Sequence, residues 1–124
     1  MNKPGPELDA FIAEKLMGWR LSARGNWWLG EDGADARSNQ WVPSTNYENA
    51  LQVVEFLRDK GWAYRIEGVP DISSARRGVR VTFQFGVLPP GHASSPMYEA
   101  DGKDIPHAIC LAAKLLTEVP KDTL

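Results

Sequence analysis

The feature that most constrains the fold is a change of hydrophobic period at Gly61. Before it, apolar residues recur at helical spacing and share one face of a helix predicted over residues 46–60; they are Ala50, Val53, Val54 and Leu57. After it, the apolar residues Trp62, Tyr64 and Ile66 recur at every second position. The pattern therefore predicts an amphipathic helix followed directly by a strand that is buried on one face.

The start of this helix carries a signal of its own. Thr45, followed three residues later by Glu48, fits a capping box, in which the hydroxyl accepts a backbone N–H and the carboxylate reaches back to the cap. Gly61 is the residue type that commonly follows the end of a helix. We therefore predict Thr45 as the N-cap.

Two further helices are predicted. Residues 7–17 carry apolar side chains at helical spacing, acidic residues in the first turn, and Gly18 as the stop. The last helix begins after Asp104, which we predict as its N-cap, and Pro120 closes it. The chain therefore contains three helices that each need an apolar surface to pack on.

The clearest strand covers residues 79–87, and its simplest partner is the strand after Gly61, in an antiparallel pair. Short strands are predicted at residues 19–22 and 26–29, and an exposed loop or hairpin connection at residues 30–40. Two stretches rich in loop-forming residues, 68–78 and 89–103, are predicted as long loops. Residues 1–124 then form a single α+β domain with layered helices and a short sheet.

Composition excludes several classes of protein. The net charge is −2, so no strong field draws the chain to nucleic acid or anionic lipid, and no segment approaches the roughly 20 apolar residues that span a bilayer. The N-terminus lacks the apolar run of a signal peptide. The single cysteine, Cys110, excludes an internal disulfide and fits a reducing compartment. We expect a soluble, cytoplasmic protein that binds neither nucleic acid nor membrane.

The sequence offers no familiar catalytic anchor. His107 and Cys110 are three residues apart in the last helix, but two ligands do not make a metal site, and His92 has no ligand spacing to them. They also lack the third group and oxyanion site of a Cys–His nucleophile. A core cysteine beside a histidine in the capping turn is favoured. The acidic residues of the 30–40 loop lack the order of a calcium loop. We expect no catalytic residue, metal or cofactor.

Two sets of residues are candidates for binding. The densest basic cluster, Arg76, Arg77 and Arg80 with Ser74 nearby, has the chemistry to hold the phosphate of a nucleotide-like ligand, although a solvated loop is the alternative.

The second set is aromatic. All five tryptophans lie in the first half of the chain, and so many indoles are costly to bury in one small core, so at least one is expected near the surface. Trp and Tyr dominate protein interfaces. We predict Trp28, Trp41 and Tyr98 as an interaction surface.

Five sequence blocks, taken in order, carry a resemblance. They are E-L-D-A-F-I-A-E-K-L-M-G-W (7–19), N-W-W (26–28), W-V-P-S-T (41–45), A-L-Q-V-V-E (50–55) and H-A-I-C-L-A-A (107–113). The chain thereby resembles the phage ABA-sandwich domain family, small proteins of phages and prophages. The resemblance implies a three-layer α/β/α sandwich, with helices on both sides of a short, mainly antiparallel sheet, but no catalytic residues.

Phage origin favours an accessory protein that binds host proteins or signals. The leading hypothesis is a non-catalytic protein of the bacterial host cytoplasm that binds a host or phage protein. The alternative is a module that binds or sequesters a small phosphate-bearing ligand, and an enzyme has the least support.

Overall fold

The computed structural model describes residues 3–30, 35–70, 77–85 and 97–117. Within them the strands form two antiparallel three-stranded sheets, in the orders β1-β2-β3 and β4-β5-β6. The elements are α1 (Pro6–Phe11), a π-helical turn (Ile12–Leu16), β1 (Arg20–Leu21), β2 (Trp27–Leu29), β3 (Asp35–Arg37), α2 (Tyr47–Asp59), β4 (Trp62–Pro70), β5 (Arg77–Phe85), β6 (Met97–Gly102) and α3 (Ile105–Thr117). The predicted α+β class, with three helical segments and antiparallel strands, is confirmed.

The second sheet and its helices form the centre of the molecule. β4 and β5 pair from Trp62 opposite Phe85 to Pro70 opposite Arg77, as the alternating pattern predicts. Their shared apolar face carries the fully buried Phe83, with α2 packed on β4, and α3 on β5 and β6. Since cross-strand pairs share a face, the register alone decides which side chains meet the helices.

β6 lies inside the predicted 89–103 loop, so that prediction was wrong for residues 97–102. Its side chains alternate in exposure, with Tyr98 and Ala100 on the apolar face and Glu99 and Asp101 on the polar one. The short alternation among acidic residues and glycine hid the strand, since edge strands often carry charges. The predicted 68–78 loop is also shorter, because β4 continues to Pro70, at the end of an edge strand where its missing N–H is tolerated.

The first sheet confirms the two short predicted strands and adds a third. β3 pairs with β2 within the stretch predicted as an exposed loop, which was wrong for residues 35–37. Three residues are too few to show a hydrophobic period in the sequence. β3 forms a strand because its backbone pairs with β2.

The helix ends that the structure describes follow the sequence, except for the start of α2; Pro120, the predicted end of the last helix, lies outside the described residues. Gly18 and Gly61 have positive φ values of 73° and 97°, and Asp104 Oδ1 accepts the His107 N–H at 3.1 Å, as predicted. The predicted Thr45 N-cap is wrong, because Asn46 Oδ1 accepts the Asn49 N–H at 2.9 Å. Thr45 lies in the turn ahead of the helix, where its hydroxyl contacts the carbonyl of residue 42 at 3.4 Å. Asn is at least as good an N-cap as Thr, so composition alone did not separate the two positions.

The first helix changes pitch half-way. It begins at Pro6, and from Ile12 to Leu16 it is π-helical, with the Met17 N–H donating to the Ile12 carbonyl at 3.0 Å. The sequence carries no signal for this turn. In the described part of the chain, no helix combines the length and apolarity needed to cross a bilayer.

Candidate functional site

The second sheet ends in a group of aromatic side chains, which we call the aromatic patch: Trp62, Tyr64, Phe85 and Tyr98. Register places them on one face, because Trp62 is opposite Phe85, and Tyr64 and Tyr98 flank Phe83. The Trp62 ring centroid lies 5.3 Å from that of Phe85, edge on, and 5.9 Å from that of Tyr98. Such spacings are typical of favourable aromatic pairs.

The patch is partly open to solvent. Tyr64 is 43% exposed and Phe85 is 37% exposed, whereas Trp62 and Tyr98 on the same face are half-buried. The turn at Gly61 shapes its edge, because a Cβ there would lie 3.4 Å from the Phe85 ring. The patch therefore combines a packed base with two exposed rings.

Two of the three residues of the predicted interaction surface are buried. Trp28 and Trp41 are 4% and 3% exposed, so neither forms a surface. Trp41 packs on Trp19 at 4.7 Å, and its indole N–H donates to Gln52 Oε1 at 2.7 Å. A buried indole with its one donor satisfied belongs to the core.

Tyr98, the third predicted residue, lies in the aromatic patch. The expected exposed tryptophan is Trp27, which is 37% exposed and stacks under the Arg37 guanidinium at 5.4 Å. Trp27 and Trp28 point to opposite faces of β2, and sequence alone does not say which face is covered.

The predicted basic cluster is described only in part. Arg76 and Ser74 lie outside the described residues, and Arg77 is placed only as the first residue of β5, opposite Pro70. Arg80 Nε lies 2.7 Å from Asp101 Oδ1 and 3.6 Å from Glu99 Oε1.

The hydrogen bond that Arg80 donates to Asp101 lowers the pKa of Asp101. The same bond, together with the negative charges of Asp101 and Glu99, raises the pKa of Arg80. These two carboxylates offset the positive charge that Arg80 could offer to an anion. The proposed phosphate site stays a prediction.

His107 and Cys110 do not face a common ligand. Cys110 is fully buried, and burial, followed by the nearby charges of Asp9 and Asp104, raises the pKa of its thiol far above the ordinary value. His107 Nδ1 accepts the Lys103 N–H at 3.0 Å. The interpretation as a core cysteine and a capping-turn histidine is confirmed. In the described ranges, no group of three or more His, Cys, Asp or Glu side chains could hold a metal, and His92 lies outside these ranges.

A cleft of about 450 Å³ opens between α1 and the first sheet, and sequence reasoning missed it. Asp9 lines it and is only 4% exposed. Its Oδ1 accepts the Ser44 N–H at 2.8 Å, but its Oδ2 has no hydrogen-bond partner among the described residues. Desolvation raises the pKa of Asp9, and the hydrogen bonds from Ser44 partly offset this.

Asp9 looks in sequence like an ordinary acidic residue in a first helical turn. Its only distinguishing mark there is its place beside the core residue Leu8, and that mark is too weak to identify a cleft.

Comparison with known families gives one match. Residues 10–114 match the phage ABA sandwich domain. The chain belongs to this family. The predicted resemblance is thereby confirmed, and the family description agrees with the mixed helical and strand architecture. Curated proteins and solved structures gave no significant match to this phage ABA sandwich domain. The family supports the fold class, and any function has to be inferred from the surface of the molecule.

Proposed function

We propose that this phage ABA sandwich domain is a non-catalytic accessory protein that binds a phage or host protein through the aromatic patch. The observation that carries the proposal is the exposure of Tyr64 and Phe85 beside the half-buried Trp62 and Tyr98 on one face of the sheet. Aromatic residues concentrate binding energy when they sit on a rigid base and are desolvated by a partner.

The base of the patch supports this use. Trp62 and Tyr98 lie on the two outer strands, β4 and β6, and each strand is held by backbone pairing to β5, so the patch is built on a fixed backbone. The fully buried Phe83 lies between Tyr64 and Tyr98 on the same face and packs this part of the sheet into the core. A partner with an apolar surface and hydrogen-bond acceptors for the tyrosine hydroxyls fits this chemistry.

The test is an affinity pull-down from lysate of the phage-infected host. A partner recovered in stoichiometric amount by the wild-type protein should be lost when Tyr64→Ala and Phe85→Ala are combined. Tyr47→Ala is the matched control, because Tyr47 is 49% exposed but lies at the start of α2, away from the patch. Circular dichroism should show that both variants fold.

Two results would contradict the proposal. One is that no protein is recovered in stoichiometric amount by the wild type. The other is a partner that the patch variant and the Tyr47→Ala control retain equally, because the patch would then not be the binding surface.

A phosphate-bearing ligand is the second candidate, and it rests on the basic cluster. Arg77→Glu should abolish any rise in melting temperature produced by a panel of nucleotides. The carboxylates already on Arg80 weaken this candidate, because they neutralise one of its three arginines. No rise with any nucleotide would remove it. We place either activity in the cytoplasm of the bacterial host.

A further inference from the structure

The second sheet has two outer strands, and β4 is the longer of them. Within the described ranges, β4 pairs with β5 on one side and with no strand on the other. Four residues along it, Tyr64, Arg65, Glu67 and Gly68, are exposed. An open edge of this kind offers unpaired backbone N–H and C=O groups to a further strand. The side chains of β4 indicate which strand fits there.

Two opposite charges lie two residues apart on β4. Arg65 Nε is 2.9 Å from Glu67 Oε1, and both side chains are exposed. Arg65 is opposite Thr82 and Glu67 is opposite Arg80 in β5, so both charges lie on the polar face of the sheet. A strand with a positive and a negative charge in this arrangement complements a second copy of itself that runs in the opposite direction.

The register of such a pair is selected by charge. A continuous antiparallel sheet keeps the two apolar faces on one side, so the two copies can shift only by even steps. Centring the pair on Arg65 places arginine opposite arginine, and centring it on Glu67 places glutamate opposite glutamate. Centring it on Ile66 places each Arg65 opposite Glu67 of the second copy. Unlike charges directly opposite are stabilising and like charges are destabilising, so the Ile66 register is favoured.

The same register matches the side chains of the apolar face. The half-buried Ile66 meets its own copy at the two-fold axis, and Tyr64 lies opposite Gly68 of the second copy. A Cβ at Gly68 would meet nothing within 4 Å, so the space over this glycine is open. Aromatic side chains on a neighbouring strand cover such edge glycines. Both faces of β4 therefore favour one pairing.

β6, the other outer strand, has the opposite character. Its polar face carries Glu99 and Asp101, with no basic residue between or beside them on that face of the strand. Any antiparallel pairing of two β6 strands centred between these residues sets acidic side chains opposite each other, which is unfavourable. The self-complementary edge is that of β4.

We infer that two copies of this domain pair antiparallel along β4, centred on Ile66, and so join their second sheets into one continuous sheet. The contact is isologous and closes on itself, so it gives a dimer rather than a filament. It is small, so we expect a dimer that forms with rising protein concentration. The inference does not rest on the proposed binding through the aromatic patch, and the variants below leave Tyr64 and Phe85 unchanged.

The test is sedimentation velocity of the full-length chain over a range of concentrations. The wild type should move from the 13.8 kDa of one chain toward twice that mass. In the same samples, hydrogen exchange should slow with concentration at backbone amides of residues 64–68, because these come to lie inside a sheet. Circular dichroism should show that every variant folds.

Charge variants test the register. Arg65→Glu and Glu67→Arg each turn two unlike pairs into two like pairs, so each should weaken the dimer by roughly tenfold or more. The two variants mixed together should associate again, because the charges of one then complement those of the other. A double variant with both substitutions keeps the net charge and should dimerise like the wild type.

The matched control is Arg58→Glu. It makes the same charge change as Arg65→Glu, but Arg58 pairs with Glu55 on α2. It should leave the dimer intact.

Four results would overturn the inference. They are a single 13.8 kDa species up to about 1 mM, species larger than a dimer, equal dimerisation of Arg65→Glu and Arg58→Glu, and failure of the double variant to regain the dimer. Unchanged exchange at residues 64–68 in a dimeric sample would also overturn it. The exchange measurement needs only the wild type, so it decides the matter even if a variant fails to fold.

Discussion

At Gly102, the last residue of β6, the strand passes very close to α3, and this gives a sharp prediction. A Cβ at this position would lie 2.5 Å from the backbone N of Ala108, 2.6 Å from its Cα and 2.9 Å from its Cβ. Ordinary Cβ contacts lie at 3.4–4 Å. Gly102→Ala therefore requires the first turn of α3 to move by about 1 Å, since backbone atoms cannot rotate away.

The loss of unfolding free energy in Gly102→Ala can be compared with that of a control glycine, Gly68, in the same cross-strand row. Overpacking of a core typically costs about 1–3 kcal/mol, and α3 carries much of this core, so we expect Gly102→Ala to lose about 2 kcal/mol. Gly68 shares the cross-strand row through Val79, but a Cβ there meets nothing within 4 Å. Gly68→Ala should be neutral or gain up to about 1 kcal/mol, from reduced freedom of the unfolded chain.

The assay is urea unfolding followed by tryptophan fluorescence and circular dichroism. Gly102→Ala should lower the midpoint without changing the slope, and should lower the melting temperature by roughly 8 °C at this chain length. Effects on the unfolded state are the same for the two glycines, so their difference reports the contact with Ala108. If Gly102→Ala is as stable as Gly68→Ala, the argument that β6 packs tightly against α3 is refuted.

Three further predictions concern buried and capping groups. Because the folded-state pKa of Asp9 is raised above the ordinary 3.8, ionisation of Asp9 destabilises the fold. Asp9→Asn should therefore raise the free energy of unfolding by about 1 kcal/mol at pH 7. Urea titrations should show this gain shrinking as the pH falls and absent below pH 3.8. An unchanged gain at pH 3 would contradict this origin. Cys110 should react with a thiol reagent at pH 8 roughly 100-fold more slowly in the native protein than in urea. The reason is that its thiol is buried and its pKa is raised. Fast labelling of the native protein would contradict that burial. Asn46→Ala should lower the free energy of unfolding in urea by about 1 kcal/mol, whereas Thr45→Ala should lower it by less than about 0.5 kcal/mol. A larger loss for Thr45→Ala than for Asn46→Ala would show that Thr45 is the cap.

The candidate sites were visible in the sequence to different degrees. Tyr98 was predicted as part of an interaction surface with Trp28 and Trp41, but its grouping with Trp62, Tyr64 and Phe85 was not predicted, although Trp62, Tyr64 and Phe85 were placed on the correct strands. Their exposure could not be read, because it depends on how far the helices extend over the sheet. Asp9 gave no usable signal, because its unsatisfied oxygen arises only when Ser44 and the first sheet pack around it.

The sequence by itself determined the elements whose signals are local. The period change at Gly61, the glycine stop at Gly18 and the Asp104 cap depend on neighbours within one or two turns, so they survive in any tertiary context. The order of its blocks also determined family membership.

Only the tertiary structure decided the features that depend on distant partners. β3 and β6 exist through hydrogen bonds to strands elsewhere in the chain. Burial of Trp28 and Trp41, rather than Trp27, follows from which sheet face is covered. The carboxylates that hold Arg80 come from β6, opposite it in the sheet. Short segments and single side chains carry too little local free energy to specify these outcomes, so packing and register decide them.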